Sequence, residues 1–210
     1  MGRIGKGLKK NLGNMESSLH FKKSYGFGKI AESLIASYFR NKGYAVLPIY
    51  EKEISDGKGP AIYFPDAEVI GTDMLIFKGK RIYWIEAKHK NAFSWHRLTE
   101  RWVTGIDIKH YRHYQDIAKR TNYPVWLIFY HEGGQARDSP PDSPSGLFGN
   151  NLQFLIENEN HRHQNWGRYG MVYWAVEKLI LIETKDEFKS RGESHFEQKA
   201  LADELRQLLS

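Results

Sequence analysis

Residues 73–90 read DMLIFKGKRIYWIEAKHK, two apolar-rich runs flanking Lys78, Gly79, Lys80 and Arg81. Runs of this kind around a two-residue loop with Gly first read as a β-hairpin closed by a type II′ turn. That turn pairs Lys78 with Arg81, and counting outward sets Asp73 opposite Glu86. A four-residue loop gives the same pairing; a three-residue loop does not. Side chains alternate along a strand, so Ile82, Trp84, Glu86 and Lys88 share one face. Carboxylates opposed on one face have Cβ atoms about 5 Å apart and repel one another. A compensating positive charge is expected. Lys88, two residues along on the same face, is one candidate and a divalent cation is the other. Mg²⁺ binds one or two carboxylates while keeping several waters, which this pair offers. The chemistry that follows is metal-assisted hydrolysis of a phosphodiester, with a nearby lysine orienting water or stabilising developing charge.

Upstream, residues 28–42 have helical periodicity, with Ile30, Ala31, Leu34, Ile35, Tyr38 and Phe39 in one arc, and Gly43 ends the helix. Glu32 lies at the rim of that arc, as a third carboxylate leaning over the sheet or as an ordinary surface glutamate. Residues 45–50 read as a strand that Pro48 marks as an edge or irregular one, and 51–65 as a loop. Downstream, 106–120 reads as a helix and 124–131 as an apolar strand. A proline-rich loop is expected over 133–149, one more strand with its continuation over 171–182, and an amphipathic terminal helix over 193–209. No internal repeat is visible. Helix, three strands, helix and strand make an α/β domain with a mixed sheet. The expected organisation is a flexible arm over 1–24 and a single domain over 25–210, with its core at 25–131, a loop at 132–150 and an extension at 151–210.

The 210 residues are 40% hydrophobic and 14% aromatic, which permits a packed core, and carry no cysteine, which excludes disulfides, thiolate metal sites and a cysteine nucleophile. Apolar runs are strand-sized, and no secretory region opens the chain, so a cytoplasmic protein without membrane spans is expected. The net charge of +6 is concentrated. Residues 1–24 hold six basic groups against Glu16, and residues 78–120 hold eleven against four acids. Two basic blocks suit a polyanionic partner, nucleic acid above all, or are solvated surface.

Three segments together resemble the PD-(D/E)XK nuclease superfamily. They are the helix beginning at Gly28 that carries Glu32, the strand opened by Asp73, and Ile85, Glu86, Ala87 and Lys88. Glu32 near the helix start, with Gly71 and Thr72 before Asp73, is most similar to its archaeal Holliday-junction resolvase branch. The resemblance spans about residues 25–131. It implies a restriction-endonuclease-like core and a DNA endonuclease acting on branched or structured substrates as a homodimer. It further implies Mg²⁺ or Mn²⁺ on Asp73, Glu86 and the carbonyl of Ala87, with Lys88 catalytic and Glu32 joining the site. The chain departs from the family pattern in one respect: Thr72, not proline, precedes Asp73, whereas a literal Pro65-Asp66 stands upstream, so Asp66 is a rival ligand.

Further candidates surround this centre. Lys90 continues the strand, and Trp95, His96 and Arg97 follow in a loop placed to meet substrate; Trp95 either stacks on a base or buries the loop. On the second helix, Gln115 is a candidate near the site, while Tyr111 and Tyr114 suit packing on the sheet. His110 and His113 could share a face and suit phosphate contact, or are ordinary surface histidines, better than metal ligands, lacking a third ligand. His161, Arg162, His163, Trp166 and Arg168 form a polar segment of unassigned role. No glycine-rich phosphate loop is present, so no nucleoside triphosphate is expected.

Overall fold

The Gly79 turn closes as expected: Gly79 takes φ +61°, a region open to glycine at little cost, and Lys78 pairs with Arg81. A computed structural model of the protein describes residues 28–49, 60–165, 169–188 and 190. In chain order the elements are helix α1 (28–41), then β1 (Ala45–Pro48), β2 (Ala61–Phe64), β3 (Ala67–Ile70), β4 (Met74–Lys78) and β5 (Arg81–Lys90). There follow β6 (Ser94–His96), β7 (Arg101–Asp107), α2 (Ile108–Thr121), β8 (Val125–His131), β9 (Gly146–Asn151) and α3 (Leu152–Glu157). The last are β10 (His161–His163), β11 (Met171–Ala175) and β12 (Ile180–Thr184).

A six-stranded sheet runs β1-β4-β5-β8-β9-β12. Only β5 and β8 pair in parallel, and the connection bearing α2 is the long crossover that parallel pairing needs. The sheet is therefore mixed and the fold α/β. Its two faces bury different layers. On one, Ile35 of α1 packs with Met74, Ile76, Ile85, Ala87 and Ile128. On the other, Trp84, Leu127 and Phe129 meet α2, whose buried Ile108, Tyr111, Tyr114 and Ile117 recur every third residue as one stripe. A four-stranded sheet, β10-β11-β7-β6, adds Ile106, Val172 and Trp174 to this second layer.

Several local expectations are corrected. The loop foreseen over 51–65 ends in β2, which pairs with β3; four residues are too few for alternation to stand out. The loop foreseen after β5 is β6, hairpin-paired to β7. The helix foreseen from residue 106 begins at Ile108, because Ile106 and Asp107 finish β7 opposite Val172 and Met171. The foreseen 133–149 loop yields β9 from Gly146 onward. Residues 171–182 are two strands in different sheets, parted by a 3₁₀ turn at Val176–Lys178. Among the described residues after 151, β10, β11 and β12 complete both sheets. For β7, β11 and β12 the deciding partner is remote in sequence. The arm over 1–24, the helix over 193–209, and Trp166 and Arg168 lie outside the described residues. Among the described residues, no helix is long and apolar enough to cross a membrane.

Candidate active site

Asp73 immediately precedes β4, and the Met74–Ile85 pairing leaves it opposite Glu86. Its Oδ2 accepts a 2.8 Å hydrogen bond from the Ala87 backbone N–H, so the carboxylate crosses to β5 where the regular ladder ends. Both residues lie on the face carrying Leu75 and Trp84, beneath α2. Glu86 is 2% exposed. Its Oε1 is bound by Lys88 Nζ, and the Tyr114 hydroxyl lies close enough to its carboxylate to favour the ionised form. Burial, and then repulsion from Asp73, push Glu86 up to about 7, against the pull of Lys88 and Tyr114. Burial opposes the charge on Lys88, but Glu86 and Asp73 outweigh it and hold the ammonium above the ordinary lysine value. The Tyr114 hydroxyl is pushed well above its usual range by burial and by the same carboxylates.

Glu32 approaches from the opposite layer. It pairs with Lys29 at 2.9 Å and lines a cleft of about 450 Å³ that also contains Asp73, Met74 and Pro48. Burial raises its carboxyl and Asp73 raises it further, while Lys29 and Lys88 lower it. Glu32, Asp73, Glu86 and Lys88 are therefore electrostatic neighbours at the rim where both layers of the sheet open. Lys90, next on the same strand face, is lowered to about 8 by burial and by Lys88. His110, one turn before Tyr114 with rings 6.2 Å apart, is lowered to about 4 by burial and then by Lys88.

Other candidates lie elsewhere. Asp66 occupies the β2–β3 turn and is bound by Arg120 at 2.7 Å, its carboxyl held low by that hydrogen bond. Gln115 lines a cleft with Leu152 and Ile156 of α3, away from the carboxylates, and the neighbouring Tyr111 hydroxyl donates to Glu159 at 2.5 Å. Trp95 packs edge-on against Trp102, centroids 5.2 Å apart. Arg97 is exposed and 3.5 Å from Asp138. Tyr114 and His110 are the site groups that sequence reasoning did not assign. The stripe of Ile108, Tyr111, Tyr114 and Ile117 signals that both tyrosines are buried and that each hydroxyl must find a hydrogen-bond partner, but not that Tyr114 meets Glu86.

Among the described residues, no three His, Asp or Glu side chains form a metal-binding cluster. What converges is a carboxylate pair, the neighbouring Ala87 and a charged lysine. That donor set fits a hard cation that retains most of its water, and a cation there would offset the repulsion that raises Glu86.

No protein-family model matches the sequence, and no curated protein is significantly similar to it. In structure the chain is similar to Hjc, a Holliday junction resolvase of Archaeoglobus fulgidus. The identity is 9% and the TM-score 0.42, covering 72% of this chain and 90% of that one. It is also similar to D212, a nuclease from a fusselovirus, with 12% identity and a TM-score of 0.34, covering 94% and 97%. The mixed α/β architecture stands on the strand pairing itself, and TM-scores below 0.5 add no argument to it.

Proposed function

We propose that the chain is a divalent-metal-dependent nuclease hydrolysing phosphodiester bonds in DNA, an endonuclease acting on branched or otherwise structured substrates. The observation that carries this reading is the convergence of Asp73, Glu86 and Lys88 on one sheet face, with the two carboxylates close enough to raise Glu86. Asp73, Glu86 and the Ala87 carbonyl would hold Mg²⁺ or Mn²⁺, with Glu32 completing the rim. When bound, the cation supplies Lewis-acid polarisation of the phosphodiester and acidifies water. Lys88 presents an ammonium, held charged by Glu86 and Asp73, to the charge that grows at the scissile phosphate. The Tyr114 hydroxyl, close to the Glu86 carboxylate, favours its ionised form.

The direct Lys88–Glu86 ion pair favours one rival, a non-catalytic nucleic-acid-binding protein that retains a nuclease fold. Metal-dependent cleavage separates the two. Linear duplex, single strand, flap and four-way junction DNA would each be incubated with Mg²⁺, Mn²⁺ or EDTA. Cleavage of a structured substrate with either metal, abolished by EDTA, supports the nuclease. Salt-sensitive binding without cleavage on any substrate supports the rival.

A further inference from the structure

On the β10-β11-β7-β6 sheet, three rings lie parallel. His161 stacks on Tyr173, its register partner across β10 and β11, with centroids 4.6 Å apart at 6°. His96 of β6 stacks on His161 at 3.8 Å and 10°. Since β6 and β10 are opposite edges of this sheet, the sheet curls until its edges meet through these rings, and through Asn160 Nδ2 donating to Thr99 Oγ1 at 3.3 Å. Gly105, the partner of Tyr173 on β7, leaves room for the ring; a Cβ there would sit 2.7 Å from it. Both imidazoles are fixed in orientation, His96 Nδ1 by Thr99 Oγ1 and His161 Nδ1 by Asn160 Oδ1, each at 2.7 Å.

The column is built but unused by the core. The core takes the other face of these strands, with Trp102, Ile106, Val172 and Trp174, whereas His96, His161 and Tyr173 are each only half-buried. Exposed Arg101, the register partner of His96, and exposed His163, two residues beyond His161, flank the column. Arg97 beside His96 is paired with Asp138, and Glu100 is the acid of the β6–β7 turn, where Leu98 stands 91% exposed. Asp107, two residues on from Gly105 on the same face of β7, ends that strand at the start of α2, the helix that carries His110 and Tyr114.

We infer that the His96–His161–Tyr173 column is a stacking platform for the bases of an unpaired strand, so that the substrate carries a single-stranded segment beside the cut. Aromatic rings bind any base through its π-face, and a cationic rim follows the phosphates. The strand's role next to a cut rests on the nuclease reading; the platform's preference for bases does not.

The test is therefore a binding measurement in Ca²⁺, where no cleavage is needed. Fluorescence anisotropy compares a short single-stranded oligonucleotide with the same backbone bearing abasic sites. The full chain should bind the intact strand about tenfold or more tightly. His161→Ala should collapse that ratio towards one, and His161→Phe, a ring without charge, should restore most of it. His96→Ala removes the outer ring alone and should also lower the ratio, should His161→Ala fail to fold. Equal binding of intact and abasic strands by the unaltered protein would overturn the platform. So would a folded His161→Phe as weak as His161→Ala, which would make the histidine a phosphate contact. Loss of cleavage on every substrate, with the base preference intact, would sink the nuclease reading and leave the platform standing.

Discussion

Lys88 bears most directly on whether the site is catalytic, because its ammonium is bound to Glu86 and feels Asp73 and Glu32 as well. Lys88→Met keeps much of the apolar stem and removes the charge. If the lysine stabilises charge developing in the transition state, its loss falls on kcat, by about a hundredfold or more. Single-turnover cleavage with saturating enzyme isolates that step; an unchanged rate with weaker binding would reduce Lys88 to a phosphate contact. Asp73→Ala and Glu86→Ala should each abolish cleavage while circular dichroism shows the fold retained, since removing either relieves the repulsion that raises Glu86. Near-normal cleavage by either variant with Mg²⁺ would displace the centre. The opposition of Asp73 and Glu86 was legible because hairpin register is fixed locally, by the turn and by alternation. Tyr114 and His110 were not assigned, because which helical face meets Glu86 depends on how α2 seats over the sheet, and no local pattern encodes that.

At the scale of elements, legibility follows the distance to the partner. The β4–β5 hairpin and α1 declare themselves within a few residues, whereas β7 is a strand because β11, more than sixty residues on, pairs with it. Gly105 sits in that pairing, and a Cβ there would collide with the Val172 carbonyl oxygen. Gly105→Ala therefore forces backbone apart and should cost at least about 1–3 kcal/mol, read as a lower denaturant midpoint. The end of β8 carries a second liability. His131 is fully buried and stacked on Phe93 at 3.5 Å, and burial, then the charge of Lys90, lower it to about 3. The folded value lies below the unfolded one, so as pH falls through about 6.5 the unfolded chain takes the proton first, and stability declines until about 3. At pH 5 this amounts to about 2 kcal/mol. His131→Phe should thus gain on the unaltered protein between pH 8 and pH 5 in thermal melts; a constant difference across that range would show that His131 is not the titrating group.

Across the whole molecule, charge decides how a polyanion is held. The eleven cations of residues 78–120 suggest a strong electrostatic block, but folding commits several of them. Lys88 binds Glu86, Arg120 binds Asp116 and Asp66, and Arg97 faces Asp138, while Lys78 donates to the Lys42 carbonyl at 2.8 Å. A cation already neutralised by a carboxylate releases fewer counterions when DNA arrives, so the block's share of the salt dependence is smaller than its formal charge. The first 24 residues carry six cations against Glu16 alone, with few acids available for pairing among themselves. Binding to B-DNA weakens with salt at a slope near 0.9 per phosphate neutralised. Deleting residues 1–24 should therefore weaken duplex binding at moderate salt and flatten the log Kd against log salt plot by about three to five. Turnover at saturating DNA should persist, because Asp73, Glu86 and Lys88 are all positioned by β4, β5 and α2. Titrations across a salt series, with and without the first 24 residues, measure the slope directly. An unchanged slope would mean that the folded domain's own cations carry the electrostatic binding despite their carboxylate partners.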